Sequence, residues 1–330
     1  MSSPINMIPL ARCLDMDLET LKERVQNGEK VGPDDDLPRE YREAATRMIE
    51  FHANSEVMGA WTVKFATRRA PGLERKMAVN AQVQDEIGHA QLLYRAAESL
   101  GIKTREEMLT DLANGDGKFI NTFHYRMEEW SELPMIMFFV DGAGMQRQAT
   151  LTNSSFEPYA HAMEKINFEE GFHVKNGEDI LCHMATGSRR EQELLQEAFD
   201  RWWPRIIQFF GPTDDQSTHH DFSSQVGLKI KTNDELRQQF LNVYLPRARD
   251  YGLEIPSEPE ITYDEETGRY EVDEDTIDWD EFWQIAQNEY EPGVEMVQKR
   301  HDTQEAVSWV RDVLDSWEGS QQTPAEIAAD

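Results

Sequence analysis

Cysteine is almost missing from this chain, with Cys13 and Cys182 the two examples in 330 residues. Two thiols far apart in sequence build no disulfide framework, which fits a reducing cytoplasm, and they are too few for an iron–sulfur cluster, which needs four ligands. Basic residues are also scarce, 33 against 63 acids, for a net charge of −30. Nucleic acid is therefore not an expected partner, since phosphate binding needs a basic face. No apolar run approaches the ~20 residues of a membrane span, and no basic stretch followed by a long apolar one opens the chain, so neither a membrane nor export is expected. The G-x-G-x-x-G dinucleotide fingerprint is lacking too. Acids spread along the whole length keep a protein soluble in strong salt, which makes a salt-adapted cytoplasm the expected setting.

Against these absences stand two Glu-x-x-His motifs, Glu86-Ile87-Gly88-His89 and Glu170-Gly171-Phe172-His173. Residues three apart share a helix face, so each motif aims a carboxylate and an imidazole at one point. With nine histidines in the chain, composition alone supplies about one such motif, so the spacing around the motifs has to decide. A helix-compatible stretch from Arg39 to Arg68 ends at the breaker Arg69-Ala70-Pro71-Gly72. Glu56 precedes Pro71 by 15 residues and Glu86 follows it by 15. An antiparallel hairpin then brings both to one height, roughly 22 Å along each helix at 1.5 Å per residue.

The second half repeats the pattern. A helical stretch from about Glu132 to Leu151, the polar turn 153–158 and a helix carrying Glu170 and His173 place Asp141 level with Glu170. That spacing is 29 residues, against 30 from Glu56 to Glu86. Glu128, Glu129 and Glu132 lie two to three turns too far from the turn. The inferred set is Glu56, Glu86, His89, Asp141, Glu170 and His173, the donors of a di-iron or di-manganese four-helix carboxylate bundle. Gly59, Gly88, Gly142, Gly144 and Gly171 fall beside these donors; mid-helix glycine costs about 1 kcal/mol relative to alanine. The expectation is open space for substrate and oxygen, with close helix packing as the alternative. Asp85 and Glu169, each four residues before a motif histidine, are candidate carboxylate partners for that histidine's outer ring N–H.

These residues and the landmarks between them resemble the catalytic, di-iron components of multicomponent phenylacetyl-CoA epoxygenases (ring 1,2-epoxidases). The resemblance runs from about Tyr41 to Trp283. It rests on His52-Ala-Asn-Ser-Glu56, Thr67-Arg-Arg-Ala-Pro71, Val83-Gln-Asp-Glu-Ile-Gly-His89, Val140-Asp-Gly-Ala143, Glu169-Glu-Gly-Phe-His173, Phe210-Gly-Pro-Thr-Asp-Asp215 and Thr232-Asn-Asp-Glu-Leu-Arg237. It implies an all-α, ferritin-like bundle and the same six metal ligands. It also implies two iron ions, O2 as co-substrate, and epoxidation of the ring of phenylacetyl-CoA in aerobic phenylacetate catabolism. Electrons would come from NADPH through a separate flavin and iron–sulfur reductase, and the partners would include small bridging subunits and a homologous metal-free helical subunit. Cations for the substrate phosphates would be Lys118 and the basic stretch Arg68, Arg69 to Arg75-Lys76, with Gly59 also facing substrate. The apolar run Leu133–Val140 leads directly to Asp141 and is a candidate wall for the ring pocket, with ordinary core packing as the alternative for most of its side chains.

Two positions depart from the pattern. Gln82 stands where a lysine is expected, and Ala60-Trp61-Thr62-Val63-Lys64-Phe65 lacks an expected acid; both changes are expected near the substrate mouth. The other readings are a metal-free structural subunit of the same complex, a di-iron oxygenase acting on another aromatic acyl-CoA, iron storage, or radical generation. Both intact motifs weigh against the structural subunit. Leu93 stands where a radical-generating bundle would carry tyrosine.

The expected organisation is an N-terminal arm over 1–36, the di-iron bundle over 37–211, a C-terminal extension over 212–317 and a disordered tail over 318–330. Within the extension, 213–232 reads as polar loop and 233–248 as helix. Ile261-Thr-Tyr263 and Tyr270-Glu-Val272 read as a small hairpin, and 279–287 and 304–317 as helices.

Overall fold

Asp17 caps the first helix, α1 (Leu18–Gln26), its carboxylate accepting from the amide of Thr20. The computed structural model describes residues 16–213, 220–290 and 293. Helix α2 (Arg39–Val63) is followed by the short α3 (Ala66–Arg69). The stretch expected to run unbroken from Arg39 to Arg68 is thus interrupted at 64–65. Just before the break the Thr62 hydroxyl bonds the Met58 carbonyl at 2.9 Å, a back-bond that bends helices. After Ala70-Pro71-Gly72, α4 (Leu73–Glu98) returns along α2.

Helix α5 (Arg105–Asn114) opens on a Thr104/Glu107 capping box and stops at Gly115, whose φ of 86° suits glycine. The chain then winds irregularly into a π-helical segment, Met135–Val140, all six of whose residues are buried. It passes directly into α6 (Asp141–Leu151). The helix expected from Glu132 is therefore not α-helical in its first half. The wide π turn buries consecutive side chains instead of one stripe, and α7 (Glu157–Ala185) presses on it at Gly177, where a Cβ would come within 2.6 Å of Met137 and Phe138. Helix α7 lies along α6 and also packs against α4.

Three further helices follow, α8 (Arg189–Gln208), α9 (His220–Gln225) and α10 (Asn233–Asp250). Helix α9 falls where polar loop is expected; the fully buried Val226 and Leu228 just after it anchor that segment to the core. Strands β1 (Ile261–Asp264) and β2 (Arg269–Val272) pair antiparallel with Ile261 opposite Val272, and α11 (Trp279–Ala286) comes last. The helix expected over 304–317 and the tail over 318–330 lie outside the described residues.

The core is divided in a way that positions the site. On α2, α4 and α7 alike, one end of the helix feeds one apolar cluster and the other end feeds a second. Ala53, Ala90 and Ile166 belong to one, Met58, Val79 and Val174 to the other. Between them, at mid-helix, each contributes buried polar residues: Glu56, then Glu86 and His89, then Glu170 and His173. No helix among the described residues is long and apolar enough to cross a membrane.

Candidate metal centre

The two hairpins bring the six expected donors into one cluster. Donor atoms of Glu56, Glu86, His89 and Glu170 lie within 4.8 Å of one another, and so do those of Glu86, Asp141, Glu170 and His173. Both sets contain Glu86 and Glu170. Each of these carboxylates divides its oxygens between the two histidines. Glu86 sets one oxygen 3.7 Å from His89 Nδ1 and the other 3.4 Å from His173 Nδ1. Glu170 does the same at 3.7 and 3.1 Å. Glu56 belongs to the His89 side, 3.7 Å from its Nδ1, and Asp141 to the His173 side. Glu86 and Glu170 are thus shared by the two donor groups, while Glu56 and Asp141 each belong to one.

The buried Nδ1 of His89 has no hydrogen-bond partner; its neighbours are three carboxylate oxygens, all at 3.7 Å. A nitrogen aimed at the space between three acids fits a divalent cation there, and an oxygen-rich set with imidazole suits iron or manganese.

Electrostatics points the same way. Burial, then the charge of Glu86, pushes Glu56 up to about 8 and Glu170 up to about 7. Burial, then the charge of Glu170, holds Asp141 well above the carboxylate range. Burial acts on Glu86 too, but the nearby side chains of His173, His89 and Glu56 outweigh it and hold this carboxyl well below its usual value. Burial disfavours charge on the histidines, yet the facing carboxylates of Glu56 and Glu86 lift His89 to about 11, and those of Glu170 and Glu86 lift His173 to about 12. So many acids at such distances are stable together only when positive charge joins them, as protons or as metal.

The carboxylates expected behind the histidines are present, but crossed. Asp85 lies 3.3 Å from Nε2 of His173, and Glu169 lies 3.0 Å from Nε2 of His89. Neither serves the histidine of its own helix as expected. With Nδ1 turned into the cluster, Nε2 points across to the neighbouring helix, and the antiparallel packing of α4 on α7 makes the exchange reciprocal. Lys165 in turn pairs with Glu169.

Three residues assigned no role from sequence complete the surround. His52 sets Nε2 2.9 Å from Glu56 and Nδ1 2.9 Å from the Tyr159 hydroxyl; burial, then the charge of Arg147, lowers it to about 3. Gln148 reaches Glu56 at 3.5 Å. Gln82, expected near the substrate mouth, is instead buried and donates to Asp141 at 2.9 Å and to Glu86 at 3.3 Å. A readable signal existed for two of them, since His52 and Gln82 each stand four residues before a donor.

A cavity of about 60 Å³ touches Glu56, Glu86, Asp141 and Glu170; Phe51, Ile120, Phe123, Val140 and Phe209 make its apolar wall, and His52, Ser55, Arg147 and Gln148 add polar groups. Phe51, Ile120, Arg147 and Phe209 also line a second cavity of about 850 Å³, which reaches Lys103 and Lys118. Of the apolar run expected to wall a ring pocket, Val140 alone reaches the small cavity; Met135 to Phe139 are core. Arg68 and Arg69 line neither cavity, and Arg69 pairs with Glu129 at 3.9 Å. The glycines divide. A Cβ on Gly142 would collide with the Tyr244 ring and hydroxyl, and one on Gly59 would come within 3.1 Å of Phe123, so both mark close packing. Gly88 and Gly171 meet nothing within 4 Å, and Gly171 is exposed on the outer face of α7. Gly144 alone of the five borders the small cavity.

The family described as phenylacetic acid catabolic protein matches residues 16–309. The chain is 36% identical over 295 residues to the A component of the 1,2-phenylacetyl-CoA epoxidase of Escherichia coli (strain K12), covering 89% of this chain and 94% of that one. It is 23% identical over 184 residues to benzoyl-CoA oxygenase component B of Aromatoleum evansii, covering 53% of this chain and 38% of that one. The chain belongs to the phenylacetic acid catabolic protein family.

Proposed function

We propose that this chain is the oxygen-activating subunit of a phenylacetyl-CoA ring 1,2-epoxidase, an oxidoreductase of aerobic phenylacetate catabolism. The observation that carries the reading is the complete double donor set, in a chain similar to an epoxidase component over nearly all of that component's length. A metal-free structural subunit has no need of six buried donors gathered in two overlapping groups.

Two iron ions would be held by Glu56, Glu86, His89, Asp141, Glu170 and His173, and when bound they supply the site at which O2 is reduced. The chain's own residues do the rest. Glu86 and Glu170 would contribute to both ion positions, since both belong to the two donor groups, and Asp85 and Glu169 orient His173 and His89. Phe51, Ile120, Phe123, Val140 and Phe209 form the apolar wall of the small cavity, whose 60 Å³ admits only a few molecules the size of O2 or water. An aromatic ring would reach the throat formed by Phe51, Ile120 and Phe209, which line both cavities. The 850 Å³ cavity behind that throat takes the acyl-CoA arm, with Lys118 and Arg147 as its cations. Arg68 and Arg69 have no part in this assignment.

Two cysteines and the lack of a dinucleotide fingerprint leave the electrons to a partner. We assign that role to a flavin and iron–sulfur reductase using NADPH. Small bridging subunits and a homologous metal-free helical subunit complete a cytoplasmic complex, in which 37–211 is the metal-holding unit and 212–317 docks on it or on a partner. The test is iron analysis of the purified complex, with O2 consumption and product mass measured on phenylacetyl-CoA and on benzoyl-CoA. Two irons per chain and an oxygenated phenylacetyl-CoA are expected. Fewer than one iron per chain after anaerobic reconstitution overturns the reading. Preferential turnover of benzoyl-CoA would favour the second reading that the similarity to component B supports, another aromatic acyl-CoA as substrate.

A further inference from the structure

Glu56 turns one oxygen into the cluster and one away from it. Oε2 lies 3.7 Å from His89 Nδ1, whereas Oε1 lies 2.9 Å from His52 Nε2. His52 stands one helical turn before Glu56 on α2. Its ring meets Tyr159 of α7 edge-on, with centroids 5.9 Å apart at 88°, and its Nδ1 lies 2.9 Å from the Tyr159 hydroxyl. Tyr159 is fully buried.

The proton inventory fixes the direction of this chain of contacts. A neutral imidazole has one N–H and one lone pair. A Glu56 that ligates a cation is a carboxylate and only accepts, so Nε2 of His52 carries the proton and donates. Nδ1 is then the acceptor, and the Tyr159 hydroxyl donates to it. Tyr159 thereby selects the tautomer that Glu56 needs.

The other hairpin has no such arrangement. Four residues before Asp141 stands Met137, fully buried among apolar side chains. Asp141 takes a hydrogen bond from the amide of Gln82 on α4, much as Glu56 Oε1 meets the amide of Gln148 on α6 at 3.5 Å; the difference between the two sides is the imidazole of His52, which among the described residues has no counterpart behind Asp141. The pseudo-symmetry of the six donors therefore ends at the residues behind them.

We propose that His52 and Tyr159 are positioning residues that occupy Oε1 of Glu56, leave Oε2 alone to the cation, and make the ion position beside Glu56 chemically distinct from the one beside Asp141. The inference rests on the metal-holding reading above. His52 borders the small cavity and is within hydrogen-bond reach of Glu56; the role assigned to it is exerted through that carboxylate, and Tyr159 acts through His52.

The test uses the full-length chain and its H52A, H52Q and Y159F variants, loaded anaerobically with ⁵⁷Fe(II). Iron per chain, the affinity of each iron, the Mössbauer spectrum and the unfolding midpoint are read for each. In H52A one of the two irons is expected to bind roughly 10- to 100-fold more weakly, the range seen when a ligand's hydrogen-bond partner is lost, and one of two quadrupole doublets shifts. H52Q, whose amide donates from a similar place, restores affinity and doublet. Y159F shifts the same doublet as H52A. Unchanged affinities and spectra in both H52A and Y159F overturn the proposal. So does an equal weakening of both irons with a lowered midpoint that H52Q fails to rescue, since that marks a packing role. A wild-type chain that takes up no iron sinks the metal-holding reading itself, an outcome distinct from a wild type that loads both irons and variants that do so equally well.

Discussion

Asp85 on α4 lies 3.3 Å from the outer nitrogen of His173 on α7, and Glu169 on α7 returns the contact to His89 on α4 at 3.0 Å. Each helix therefore orients the histidine of the other. Coupling is expected to follow the crossed pairs. D85N with H173A is expected to be non-additive in iron affinity by at least ~0.5 kcal/mol, whereas D85N with H89A is nearly additive. Iron titration of the single and double variants measures both cycles. Coupling of Asp85 to His89 instead would show that the crossing is not what the protein uses.

Loss of a donor is expected to separate chemistry from assembly. H89A or E170A abolishes oxygenation of phenylacetyl-CoA while the chain still co-purifies with its partner subunits. Product analysis and size-exclusion chromatography check the two halves of the statement, and retained activity in either variant refutes that ligand.

The metal-free protein is expected to lose stability as pH rises from about 6 to 8.5. Glu170 at about 7, Glu56 at about 8, His89 at about 11 and His173 at about 12 all titrate above their ordinary values. In that window the folded chain holds more protons than the unfolded one. Stability from such groups is fully present below the unfolded pKa and lost as pH climbs through the folded one. Glu86, held low, has finished titrating before the window opens. Denaturant midpoints should fall with pH, and iron loading should release protons, measurable by calorimetry in buffers of different ionisation heat. A midpoint that rises with pH would contradict the charge balance described for the cluster.

The glycines beside the donors offer a contrast. G142A drives a methyl into Tyr244 and is expected to cost roughly 1–3 kcal/mol by overpacking. G171A meets nothing and is expected to stabilise by up to about 1 kcal/mol, the helix-propensity gain. Chemical denaturation of the metal-free variants distinguishes them; equal effects would mean that packing against Tyr244 is not what Gly142 is for.

With a net charge of −30, self-repulsion should make folding salt-dependent. The unfolding midpoint is expected to rise with KCl, and one that does not rise would count against salt adaptation.

Sequence carried the heights of the donors well. Pro71-Gly72 and the turn at 153–158 locate the hairpin ends, and helical rise does the rest, which is why Asp141 could be preferred to Glu132. The partners of the donors were less legible, because a linear spacing of four invites pairing within one helix. The ring geometry of His89 and His173 sends Nε2 to the neighbour instead. His52 shows the same limit. Its position before Glu56 is written in the chain, but Tyr159, which gives it a defined tautomer, lies 107 residues away. The π segment was hidden for a different reason, since Met135 to Val140 is apolar at every position and offers no period to read.

The 850 Å³ cavity has a wall that the four-helix bundle does not own. Phe282, Ile285 and Ala286 of α11 line it, and Lys118 bonds the Ala286 carbonyl across 168 residues of sequence. Asn288 adds a bond to Gly115 at 2.9 Å. The cavity is thus enclosed only after the late part of the chain has docked, so its shape is set by a contact of very long loop closure. Amide exchange at 115–120 should report whether that enclosure is intact.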